Sequence, residues 1–92
     1  MRILYAIKDT VANDLVGFTH AIMSFPNDNA AIRAFGEIAT NPNSLVAKNI
    51  RDYELIALGQ CDEDTAWELV PGQRTVLTGK TWLSAQPQGD QQ

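Results

Sequence analysis

One cysteine, one histidine and no long apolar run leave this chain of 92 residues without the markers of several large protein classes. Cys61 stands alone, which rules out an internal disulfide and any multi-cysteine zinc site. His20 has no serine, cysteine or carboxylate at a spacing that would make it a catalytic partner, so it reads as a strand histidine at a sheet surface. No apolar stretch approaches the roughly 20 residues needed to span a bilayer. The opening Met1-Arg2-Ile3-Leu4-Tyr5 lacks the apolar segment and cleavage site of a signal peptide, so a cytoplasmic address without membrane association is expected. There is no glycine-rich phosphate loop, and Asp62-Glu63-Asp64 lacks the oxygen-ligand number and the turn glycine of a calcium loop. Neither an enzyme nor a cofactor is expected.

Positive charge is also scarce: seven Lys and Arg face eleven Asp and Glu, for a net charge of -4. That balance speaks against a protein that coats nucleic acid by bulk electrostatics, because phosphate binding is driven by cationic side chains displacing counterions. The imbalance is uneven, however. Residues 1–51 carry five basic and four acidic side chains, whereas residues 52–92 carry two basic and seven acidic. A nucleic-acid face, if the chain has one, belongs to the first half.

What is present is the composition of a small folded domain, with 45% hydrophobic and 20% charged residues. Ile3, Tyr5 and Ile7 alternate with Arg2, Leu4, Ala6 and Lys8, the two-residue period of a strand. Asp9 to Asp14 breaks that pattern with turn formers, and Phe18 to Phe25 resumes an extended reading rich in aromatic and branched side chains. Pro26 ends this second strand, and Asn27 or Asp28 can cap a helix. Ala31, Ala34, Phe35 and Ile38 then recur at the spacing of one helix face, with Asn29, Arg33 and Glu37 on the other. Gly36, unfavourable inside a helix, suggests a close approach of the helix backbone to the sheet.

Asn41-Pro42-Asn43 terminates the helix, and residues 44–49 fit either a short helical turn capped by Ser44 or an irregular loop. Tyr53 to Gln60 and Thr65 to Val70 read as a hairpin across Cys61-Asp62-Glu63-Asp64. After Pro71-Gly72, residues 74–83 fit a fifth edge strand or a terminal turn. The expectation is one α+β domain over residues 1–84: a small, largely antiparallel sheet of four to five strands with one helix on one face, in the order ββαββ. The opposite face is left for solvent, a dimer partner or a ligand, and residues 85–92, with nothing apolar to bury, should form a disordered tail.

The remaining chemistry is basic and aromatic: Lys8, Arg33, Lys48, Arg51, Arg74 and Lys80, with Tyr5, Tyr53, Trp67 and Trp82. Such pairings hold single-stranded DNA, since an aromatic face stacks on a base at about 1–3 kcal/mol while nearby cations hold phosphates. Most of these aromatics are also needed to fill a core, with Phe18, Phe25, Phe35 and one tryptophan enough to occupy the space under one helix.

The order of short motifs carries more than their physics. Ile7-Lys8-Asp9-Thr10-Val11-Ala12 is followed by Asn27-Asp28 leading into Ala31-Ile32-Arg33-Ala34-Phe35. Asn41-Pro42-Asn43-Ser44, Arg51-Asp52-Tyr53-Glu54-Leu55, and Leu58-Gly59 before Cys61-Asp62-Glu63 come next. Over residues 3–70 this succession resembles the small non-structural protein of gokushovirus-type microviruses. The resemblance implies a phage protein of the host bacterial cytoplasm that binds DNA in the switch from duplex replication to single-strand genome synthesis and packaging. It supplies no catalytic residues. The acidic second half and the glutamine-rich tail depart from a strongly basic DNA binder.

Two functions follow. The first is a non-catalytic protein that engages single-stranded DNA through Lys8, Arg33, Lys48, Arg51 and Tyr53, as a homodimer joined at sheet edges or through the open face. A free edge strand on so small a domain invites such pairing. The second is an interaction module that recruits or restrains a phage replication or capsid protein.

Overall fold

In the computed structural model the described residues are 1–12, 14–15, 22–62, 64 and 68–86. They form strand β1 (Arg2–Asp9), β2 (Asp14–Leu15), β3 (Ile22–Phe25), helix α1 (Asp28–Thr40), α2 (Leu45–Lys48), a 3-10 turn (Ile50–Asp52), β4 (Tyr53–Asp62), β5 (Glu68–Thr78) and α3 (Gly79–Ser84). The sheet runs in the order β2-β1-β4-β5, with β3 also on the outer side of β1, and every pairing is antiparallel. The α+β class and the antiparallel sheet agree with expectation. The ββαββ order leaves out β2, α2 and α3.

Local chemistry explains most boundaries. Asp9 turns the chain after β1 by accepting the amides of Val11 and Ala12 on its Oδ1. Asn27 caps α1, its side chain accepting the Ala30 amide at 3.0 Å. Ser44 caps α2 by accepting the Ala47 amide at 3.2 Å, which decides residues 44–49 in favour of a helical turn. Thr78 caps α3 in the same manner through the Thr81 amide.

The core lies between the sheet and α1. Tyr5, Ile7, Tyr53, Leu55 and Ala57 supply the sheet side, Ala31, Phe35 and Ala39 the α1 side, and Val46 closes one end from α2. Phe25 reaches this core from β3, its ring 6.0 Å from that of Tyr5. On the opposite sheet face Ala6 and Ile56, paired across β1 and β4, are buried as well. The centre of that face is therefore not open. The cue is the continuous apolar runs Ile3 to Ile7 and Leu55 to Leu58, which read as strands buried on both faces rather than as an alternating pair.

Two other expectations change. β5 does not stop at Val70 but continues through Pro71-Gly72 to Thr78, with register shifts opposite Ala57–Gly59 and Leu55–Ile56. A proline is tolerated there because β5 is an edge strand and the irregular register relieves the missing donor. Beyond it, residues 79–84 form a helix and not a fifth strand. Its Trp82 packs edge-on against Phe35, with ring centroids 6.4 Å apart, and meets the open side of Gly36. The helix glycine thus accommodates α3 instead of the sheet. Ala85 and Gln86 close α3 through their amides, while the rest of the expected tail, with Phe18, His20, Glu63 and Trp67, lies outside the described residues.

Candidate functional site

The cations divide into engaged and free ones. Arg74 on β5 forms a two-pronged pair with Asp28, donating from Nη1 to Oδ2 at 2.8 Å and from Nη2 to Oδ1 at 2.9 Å. Arg2 donates to the side chain and the backbone carbonyl of Ser24. Lys8 stands directly across from Glu54 in the β1–β4 register. Arg33 is exposed on α1, one turn before the exposed Glu37.

Lys48 and Arg51 are set apart by sharing one depression. Both are exposed, and with Asn49, Ile50 and Asp52 they line a shallow open depression of about 320 Å³. The chain there is held in place locally: Asn49 ends α2 by donating its amide to Leu45 and Val46, and the 3-10 turn follows at once. Thr10 then ties the turn to the end of β1, its amide and hydroxyl both donating to the Asp52 carbonyl, at 2.8 and 2.9 Å. Among the described residues neither Lys48 nor Arg51 has an ion-pair partner.

Of the five residues expected to bind DNA, the fold thus brings Lys48 and Arg51 together, while Lys8 and Arg33 lie outside the depression. Tyr53 is in the core at 7% exposure. Burial first, then the charges of Asp9 and Asp52, push its hydroxyl above the usual tyrosine range. With its ring in the core, it offers no face for a base to stack on.

A second polar constellation has no counterpart in the sequence motifs. Tyr5, fully buried, donates its hydroxyl to Asp28 Oδ1 at 2.6 Å, beside the Arg74 pair. Hydrogen bonds from Arg74 and Tyr5 hold the Asp28 carboxyl below its ordinary range, and burial followed by the Asp28 interaction pushes Tyr5 up to about 12. An ionised carboxylate and a protonated phenol so held have no proton to exchange near neutral pH, so the cluster is poised for structure rather than acid–base chemistry. The three residues are separated by 23 and 46 positions, which no local spacing rule detects. Among the described residues no group of His, Cys, Asp and Glu is placed to hold a metal ion, and no helix is long and apolar enough to cross a membrane.

No curated protein and no solved structure matches this chain. The family model described as "Phage ORF5 protein" matches residues 2–79, from the start of β1 to the first residue of α3. That span covers the whole sheet, α1 and the Lys48–Arg51 depression, and the chain accordingly belongs to the Phage ORF5 protein family.

Proposed function

We propose that this protein is a non-catalytic, non-structural protein of a microvirus-type single-stranded-DNA phage. In the host cytoplasm it binds single-stranded DNA as replication gives way to genome synthesis and packaging. The observation that carries the reading is the pair of exposed cations, Lys48 and Arg51, lining one depression with no acidic side chain among the described residues bonded to either. Family membership supports the phage setting. The net charge of -4 makes the interaction a local one, with few phosphate contacts and a modest affinity that depends on salt. The test is fluorescence anisotropy of a labelled single-stranded oligonucleotide at low and moderate salt, with Lys48→Ala and Arg51→Ala as the informative variants.

A second reading rests on β5. Leu69 and Val70 are 51% and 58% exposed on a strand whose outer edge pairs with no described strand. Such an edge accepts another strand, from a second copy or from a phage replication or capsid protein. Binding there is insensitive to salt, which separates it from the DNA reading.

A further inference from the structure

We infer that Lys80 is a third phosphate-binding cation, completing with Lys48 and Arg51 a single surface for the backbone of a nucleic acid strand. The inference rests on the DNA-binding reading and adds to it a residue from a different element.

The geometry begins at Gly79. A Cβ placed there would collide with the carbonyl of Ile50 and would also lie within 2.9 Å of the Tyr53 carbonyl. The first residue of α3 is therefore seated directly on the 3-10 turn, and the next residue of each segment is a cation: Lys80 after Gly79, Arg51 after Ile50. Lys80 is exposed and, among the described residues, forms no ion pair. It shares both properties with Lys48, Arg51 and Arg33, whereas Arg2 and Arg74 are held by Ser24 and Asp28.

α3 is also fixed well enough to present a side chain. Thr78 caps it, its hydroxyl accepting the Thr81 amide at 3.1 Å; Trp82 seats it against Phe35 and Gly36; and Gly79 seats it on Ile50. Lys48 and Arg51 line the depression of about 320 Å³, and Lys80 follows the glycine that is seated on Ile50 of its lining. Asp52 shares that depression, and Asp9 lies close enough to Tyr53 to act on it by charge. Lys80 adds a third cation to Lys48 and Arg51, and cations are what a phosphodiester backbone requires. The family match stops at residue 79, so motifs shared with the family do not single out Lys80.

The experiment is a salt titration of oligonucleotide affinity for the intact chain and for Lys80→Ala, Lys80→Arg and Arg51→Ala. Each single-strand phosphate contact contributes about 0.7 to the slope of log affinity against log salt. Lys80→Ala should lower the slope by about that amount and weaken binding roughly three- to fivefold near 0.15 M salt, regardless of base sequence. Lys80→Arg should keep the intact chain's slope. If Arg51→Ala weakens binding and Lys80→Ala leaves affinity and slope unchanged, the inference is overturned while the DNA-binding reading stands. If the intact chain fails to bind at low salt, both fall.

Discussion

Tyr5 on β1 donates a 2.6 Å hydrogen bond to Asp28 at the start of α1, and the same carboxylate receives both prongs of Arg74 from β5. One acidic side chain thereby fastens the helix to the sheet centre and to the edge strand. Tyr5→Phe removes one charge-assisted bond while leaving Asp28 paired, and is expected to cost about 1.5 kcal/mol. Asp28→Ala strands the buried Tyr5 hydroxyl and frees Arg74, and should cost more, about 2–3 kcal/mol. Urea unfolding followed by circular dichroism measures both, and a smaller loss for Asp28→Ala than for Tyr5→Phe would contradict this arrangement.

The same cluster contributes to the pH dependence of stability. Asp28 is held below its ordinary value of 3.8 when folded, so its contribution is present above that value and is lost as pH falls through the folded one. Tyr5 is raised from 10.0 to about 12, so its contribution is complete below pH 10 and disappears as pH climbs toward 12. Tyr53, also raised by burial, adds to the alkaline limb. Unfolding midpoints across pH should fall at both extremes, with Asp28→Asn flattening the acid limb and Tyr5→Phe making the alkaline one shallower.

Gly79 and Gly72 make a matched pair. A Cβ on Gly79 meets the backbone of Ile50 and Tyr53, whereas one on Gly72 meets nothing within 4 Å. Gly79→Ala should push α3 off the 3-10 turn and cost about 1–3 kcal/mol, with a change in Trp82 fluorescence as its packing on Phe35 loosens. Gly72→Ala should stay within about 0.5 kcal/mol of the natural chain.

Much of the fold is legible in the sequence where one local signal acts alone. The period of Ile3, Tyr5 and Ile7 marks β1, and Asn27 followed by Ala31 and Phe35 marks α1 with its cap and inner face. What is not legible depends on partners distant in the chain. Pro71-Gly72 reads as a break because local chemistry cannot show that β4 supplies a partner on one side and no described strand on the other. Gly36 announces a close neighbour without naming it, and that neighbour is Trp82, 46 residues on. The candidate site follows the same division. Lys48 and Arg51 are near in sequence and meet in one depression, while Tyr53, three residues from the turn's start, is drawn into the core.

Those placements rank the cations. Lys48→Ala and Arg51→Ala should each weaken single-stranded DNA binding several-fold at moderate salt. Lys8→Ala, opposite Glu54, and Arg33→Ala, on the exposed face of α1, should change it less than twofold. Larger losses for the second pair would move the interface to the α1 surface.

The central claim is tested most directly by anisotropy of a labelled single-stranded oligonucleotide with the intact chain at 50 and 200 mM salt. Two to three phosphate contacts predict binding in the micromolar range at the lower salt and a weakening of roughly 7- to 20-fold at the higher. Absence of binding at 50 mM, or an affinity that does not move with salt, contradicts a phosphate-binding surface at Lys48 and Arg51 and leaves the exposed edge of β5 as the functional surface.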